Sequence, residues 1–269
     1  TSTTGFCNST SLACGTTTGI QQTTQQCNDG NACNGIETCS ATLGCQNGIA
    51  PTCNLISDGC CSAGCTQSTD ADCPSAGSDL VLNLKFDGNM LDSSGYNNNG
   101  ICSGTACPIL TTDKDGIANS AYNFDGVDDK VTITYNSSIA PSTITISAWI
   151  KPSTSGVVKR IIDKGTTGYL IRYLTNGAVQ FIPGFINSNA VAPSGVWTHI
   201  AFTADSTGTD LYINGVLDKD TTTAYSPSGT QNIVIGGVMD PFNGTIDEVR
   251  IYNRALSTAE ISNLYNSAI

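Results

Sequence analysis

TITISAWI, residues 143–150, places Ile144, Ile146, Ala148 and Ile150 on one side of an extended chain. A period of two is the mark of a strand with one buried face. The same alternation extends in both directions. DLVLNLKF aligns Leu80, Leu82, Leu84 and Phe86, and KVTITY aligns Val131, Ile133 and Tyr135. GYLIRYL, AVQFI, WTHIAFTAD, DLYINGVLD, NIVIGGV and TIDEVRIY continue the series between clusters of Gly, Ser, Asn and Pro, and Asn214-Gly215 has the chemistry of a tight hairpin turn. About ten or more strands with hardly any helix predict an all-β, antiparallel two-sheet sandwich. One helix is expected at LSTAEISNLY, where Ser257 caps the start, Glu260 reaches back to its amide, and Ile261 and Leu264 share a face.

Upstream the physics changes. Eleven of the 13 cysteines, Cys7, Cys14, Cys27, Cys33, Cys39, Cys45, Cys53, Cys60, Cys61, Cys65 and Cys73, lie in a stretch with no Trp, no Tyr and few large aliphatics. Such a segment cannot bury enough apolar area to offset its chain entropy, so covalent staples must substitute for a core. CNDGNACNGIETCSATLGC, residues 27–45, spaces four of them evenly with five residues in each gap. Zinc would want paired C-x2-C spacing or interleaved histidines, and the one histidine, His199, is far away. The expectation is a small disulfide-stapled, loop-rich region over 1–76 and a sandwich over 77–269, with the break near CPSAGSD, residues 73–79. Cys102 and Cys107 bracket SGTA and are expected to pair across a hairpin; the connectivity of the other eleven, an odd number, is open.

Disulfides persist in oxidising compartments, so the chain is read as an extracellular or cell-surface protein in its mature form. Its net charge of -11, with no Lys or Arg before Lys85, excludes nucleic acid as a natural partner. No apolar run approaches the roughly 18 residues of a membrane span. Asn8, Asn136 and Asn243 each begin an N-glycosylation acceptor pattern.

LKFDGNMLDSSGYNNNGI, residues 84–101, and FNGTIDEVRIYNRALSTAEISNLY, residues 242–265, resemble the opening and closing segments of laminin G-like domains of the concanavalin A-like lectin and glucanase superfamily. NFDGVDDKVTI, ITISAWIKP, WTHIAFTAD and LYINGVLD fall between them in that family's order. The resemblance covers residues 79–269 and implies a jelly roll. It also implies a calcium ion (Ca2+) held at the sandwich edge by Asp87, Asp92 and Asp247. The alternative for these three is structural, with the carboxylates capping turns and accepting backbone amides. The amino-terminal cysteine pattern resembles modules of secreted microbial proteins.

Some relatives in that superfamily cut polysaccharides with paired carboxylates, which a retaining enzyme holds about 5–5.5 Å apart on one strand face. No E-x-D-x-x-E run occurs, and simple alternation puts Asp247, with Val249 and Ile251, on the face opposite Glu248 and Arg250. His199, between apolar neighbours, reads as structural, and Asp125, Asp128 and Asp129 read as a solvated turn. Tyr169, Tyr173, Phe181 and Phe185 are either core or a sugar-stacking surface. The chain is therefore read as a non-enzyme that binds glycan or extracellular protein. The alternatives are a subunit of a head-to-tail extracellular filament, in which copies of the chain are its own partners, and, remotely, a polysaccharide hydrolase.

Overall fold

A computed structural model describes residues 79–153, 156–165 and 167–266, together with four short strands nearer the amino terminus. The chain divides into two units, Thr1–Ser78 and Asp79–Ile269. In the first, β1 (Gly5–Asn8) pairs antiparallel with β2 (Ala13–Thr16), and β3 (Thr38–Ser40) with β4 (Gly44–Gln46). Their registers set Cys7 opposite Cys14 and Cys39 opposite Cys45. The side chains of the upstream cysteines, and so their pairing, lie outside the described residues, as does the side chain of Asn8.

The second unit carries β5 (Leu80–Leu84), β6 (Gly100–Ile101), β7 (Ile109–Thr111), β8 (Ala121–Asp125) and β9 (Val131–Ile133). There follow β10 (Ile144–Pro152), β11 (Lys159–Asp163), β12 (Leu170–Tyr173), β13 (Ala178–Ile182) and β14 (Ile186–Val191). The last are β15 (Thr198–Ala204), β16 (Thr209–Ile213), β17 (Val216–Thr221), β18 (Ile233–Ile235), β19 (Asn243–Tyr252) and the helix α1 (Thr258–Asn266). They form two antiparallel sheets. One has eight strands in the order β17-β16-β15-β10-β19-β8-β7 with β5 also on β19, and the other has seven in the order β14-β13-β12-β11-β18-β9-β6. This is the expected jelly-roll sandwich.

The core lies between the sheets and is built from the alternating residues. Ile144, Ile146 and Ile150 of β10, Ile200 and Phe202 of β15, and Val131 and Ile133 of β9 are all essentially inaccessible and belong to one cluster. Each such side chain contributes about 1.5–3 kcal/mol. β5 departs from strict alternation, because Val81 is buried in the same cluster as Leu82 and Leu84 while Leu80 is half-buried. A register irregularity between Ile251 and Tyr252 of β19 accompanies that departure.

Local chemistry fixes the connections. Asn214 and Gly215 both have positive φ, 51° and 75°, as the hairpin between β16 and β17 requires. A Cβ on Gly215 would lie 2.8 Å from the Cβ of Tyr265. Ser257 and Glu260 form the expected capping box: the Ser257 amide donates to Glu260 Oε2 at 2.8 Å and the Glu260 amide donates to Ser257 Oγ at 3.4 Å. Ile261 and Leu264 then dock the helix on Ala201 and Tyr212 of the eight-stranded sheet. The disulfide between Cys102 and Cys107 forms as expected. It spans a 3-10 turn, Gly104–Ala106, rather than a hairpin, because β6 and β7 belong to different sheets.

Candidate functional site

The outer face of the eight-stranded sheet is defined by what alternates away from the core. On β10 that set includes Ser147 and Trp149, and cross-strand partners share a face. Trp149 stands opposite His199 on β15 and opposite Asp247 on β19, while Ser147 stands opposite Arg250. From Asp247 to Arg250 is three steps along β19, but from Trp149 to Ser147 is two along β10. The extra residue is a β-bulge, and Glu248 within it has φ 49°. The bulge corrects the simple alternation. Asp247 lies on the outer face with Trp149 and Arg250, not with Val249 and Ile251, and Glu248 pairs with Arg250 there.

The segment after β7 and α1 close over this row. Lys114 Nζ sits 5.1 Å from the centre of the Trp149 ring, Tyr265 stacks on the same ring at 5.5 Å, and His199 lies 5.3 Å away. His199 is 1% exposed, and neither ring nitrogen has a hydrogen-bond partner. Desolvation, with the charges of Arg250 and Lys114, lowers its pKa to about 3, so it is neutral and unavailable as a base. The structural reading of His199 holds.

Asp247 is fully buried. Its Oδ1 accepts the Glu248 amide at 2.8 Å, and its Oδ2 has no partner. Burial first, then the negative charges of Glu248, Asp113 and Asp87, push its pKa up to about 8. Asp113 repeats the pattern: Oδ1 accepts the amides of Asp115 and Ile117, and its buried Oδ2 has no partner. Burial likewise raises Glu248, offset by Arg250. Asp247 and Asp113 thus each leave a buried carboxylate oxygen without a partner, the kind of donor a hard cation takes, while the exposed Asp87 is within electrostatic reach of Asp247 but does not gather with the other two within 4.8 Å.

Asp92 does not belong to that set. Its Oδ1 accepts the amides of Asn83 and Ser94, and its Oδ2 accepts the Ser94 hydroxyl and the Asn98 amide, all at 2.8–2.9 Å. It ties the turn after β5 to the strand, as the structural alternative foresaw. Asp113 was missed because TDKDG reads as a plain turn; only its packing over β19 gives it a role. Among the described residues the three acidic groups whose ligand atoms all lie within 4.8 Å of one another are Asp125, Asp128 and Asp129. Their oxygens serve their own turn, with Asp125 Oδ1 accepting the Val127 amide and Asp129 Oδ2 the Asp125 amide. Asn136 caps the 3-10 turn Ser137–Ile139, and the half-buried Asn243 donates to the Asp125 carbonyl.

The outer face of the seven-stranded sheet is different in kind. Ile171, Tyr173, Val179 and Phe181 point into the core, so Arg172 and Gln180 point out. The registers align Arg160, Arg172, Gln180 and Asn187 in one row across β11, β12, β13 and β14. Of the four aromatic candidates, Tyr169, Tyr173 and Phe181 are core, whereas Phe185 is 66% exposed at the tip of the β13–β14 hairpin. A cavity of about 260 Å³ near the β15–β16 turn is lined by Asp205, Asp210, Asp220 and several threonines. Asp210 and Asp220 face each other across β16 and β17, and burial together with Asp220 raises the Asp210 pKa.

Residues 125–262 match the profile of the Laminin_G_3 family, described as the concanavalin A-like lectin/glucanases superfamily. Domain 4 of an extracellular GH43 arabinanase from Geobacillus stearothermophilus, solved in complex with arabinotriose, is similar in structure. The likeness covers 70% of this chain and 99% of that one, at 22% identity and a TM-score of 0.58. The binding domain of paraclostridial mosquitocidal protein 1 matches over 70% of this chain and 52% of its own, at 21% identity and a TM-score of 0.59. The binding domain of botulinum neurotoxin DC, solved with rat synaptotagmin II, matches over 70% and 51%, at 18% identity and a TM-score of 0.54. This chain thus spans about half the length of those two toxin chains. None of the curated proteins compared with it matches. At these identities the likenesses establish the fold.

Proposed function

The chain belongs to the concanavalin A-like lectin/glucanases superfamily, and from that premise we propose that it is a non-catalytic extracellular protein whose sandwich recognises glycan. The observation that carries this reading is the asymmetry of the two outer faces. α1 and the Trp149 cluster occupy the eight-stranded sheet. Among the described residues no helix covers the seven-stranded one, whose cross-strand polar row has Asn187 exposed, Arg160 and Arg172 half-buried and Gln180 buried between them. The arabinotriose bound to the arabinanase domain supports a sugar ligand, and the synaptotagmin bound to the toxin domain supports a protein one.

A calcium ion held by Asp113 and Asp247 would neutralise the buried carboxylates and fix the closing segments of the sandwich. That is a structural role, remote from the binding face. Among the described residues no helix is long and apolar enough to cross a membrane. Nothing in the fold or the comparisons favours the filament, whose docking segment would be the cysteine-rich region.

A glycan array probed with the full chain tests the proposal. Binding to a defined class of glycans is expected, with no sugar released on prolonged incubation. Hydrolysis lost on Asp247→Asn or Glu248→Gln would overturn the non-catalytic reading, and a blank array would overturn the glycan reading.

A further inference from the structure

Arg160 and Arg172 stand directly opposite each other on neighbouring strands, an arrangement that costs stability unless the charges are compensated. Arg160 is compensated: its Nη1 lies 2.7 Å from Asp163 Oδ2 and its Nε 3.7 Å from Asp240 Oδ2. Arg172 is not. Among the described residues it has no ion pair, and its buried Nε has no hydrogen-bond partner. This happens in a chain with 22 acidic and 11 basic residues, where a carboxylate is the commonest charged neighbour available. A half-buried guanidinium left without an anion is costly to desolvate, and its planar fork matches a carboxylate.

The rest of the row suits a sugar that carries such a group. Gln180, itself buried, donates through Nε2 to Asn187 Oδ1 at 2.7 Å, which orients the exposed Asn187 amide and leaves its Nδ2 as a donor for hydroxyls. The hairpin that joins the strands of Gln180 and Asn187 holds Phe185 out at its tip, 66% exposed, as a flat surface for a sugar ring.

We propose that the outer face of the seven-stranded sheet binds an acidic glycan, with Arg172 receiving a uronic-acid carboxylate and Asn187 and Phe185 holding the adjoining ring. The inference rests on the glycan reading above and names the ligand class for it. The acidic residues elsewhere on the chain repel such a polymer, so binding depends on this local cation and on geometry rather than on bulk charge.

The test uses the full chain and calorimetric titration with oligomers of galacturonic and of glucuronic acid. The same oligomers as methyl esters, a neutral arabinan oligomer, a sulfated dextran oligomer and a polyglutamate peptide complete the set. At least one uronic-acid oligomer is expected to bind, with its ester weaker by about tenfold or more, the loss of one charge-assisted hydrogen-bonded contact. Arg172→Gln is expected to lose about tenfold towards the acid and nothing towards the ester, and Arg172→Lys to recover only part, because lysine lacks the fork. The acid-against-ester comparison on the unaltered chain does not depend on how the variants fold. Equal binding of acid and ester, or neutral arabinan binding unchanged by Arg172→Gln, overturns this inference and leaves the glycan reading standing. Binding only to sulfated dextran or to polyglutamate overturns the uronic-acid assignment. No binding to any saccharide, charged or neutral, overturns both.

Discussion

Trp149 and Asp247 stand directly opposite each other on β10 and β19, on the outer face of the eight-stranded sheet, because a bulge at Glu248 turns the carboxylate away from the core side. The pair places a fully buried acid beneath a ring that is itself covered by Lys114 and Tyr265. An acid in such surroundings is held as a neutral carboxyl or by a cation, and its titration therefore reports on stability.

Without calcium, the protein is expected to lose stability as pH rises from about 4 to about 8. Asp247 titrates at about 8 in the folded chain and near 3.8 when unfolded, so the folded state holds the proton more tightly across that window. Thermal melts in chelator against pH give the slope. A melting temperature that is flat or rising over that range, after correction for His199, contradicts the assignment.

Calcium should reverse that slope, since the ion replaces the proton on Asp247 and binds more tightly as pH rises towards 8. Asp247→Asn is expected to melt higher than the unaltered chain at pH 8 in chelator, and to gain nothing from added calcium. Asp92→Asn is expected to be destabilised with the calcium response intact, because Asp92 holds backbone amides. A calcium response lost with Asp92 and kept without Asp247 would sink the proposed donor set.

His199 works in the opposite sense. Its pKa is lowered to about 3 in the folded chain from 6.5, so its contribution is complete above pH 6.5 and disappears as pH falls towards 3. His199→Phe, which keeps a ring between Trp149 and Tyr265, should flatten the acid limb of the melting profile. Unchanged acid sensitivity in that variant would show that other groups set the limb.

At the helix, Ser257→Ala removes the hydroxyl that receives the Glu260 amide and should cost about 1 kcal/mol. Gly215→Ala should cost more, about 1–3 kcal/mol, because the new Cβ meets Tyr265 at 2.8 Å at a φ of 75°. It should also shift the Tyr265 and Trp149 environment, which near-ultraviolet circular dichroism reads. Denaturant melts rank the two, and a Gly215→Ala variant as stable as the parent would mean that α1 is not docked as described.

Much of this was legible beforehand. The inward faces of β9, β10 and β15, the Asn214-Gly215 turn, the Ser257–Glu260 capping box and the pairing of Cys102 with Cys107 follow from spacing, because each is a local pattern whose partner lies within a few residues. The proposed calcium donors were legible only in part. Asp247 stands out in the sequence, but Asp92 and Asp113 look alike there, and only the amides around Asp92 and the orphaned oxygen of Asp113 separate them.

By itself, then, the sequence determined that the chain from about residue 79 folds as a two-sheet sandwich and which side chains of β9, β10 and β15 face its core, since a period of two leaves one face to bury. Tertiary structure alone decided what the other faces do. A single extra residue in β19 moved Asp247 to the outer side, and the strand order brought Arg172 opposite Arg160 rather than beside an acid. The first depends on register between β10 and β19, strands distant in the chain, and the second on the register of the consecutive strands β11 and β12, which shifts between Arg160 and Ile162; register is set by the packing of the whole sheet.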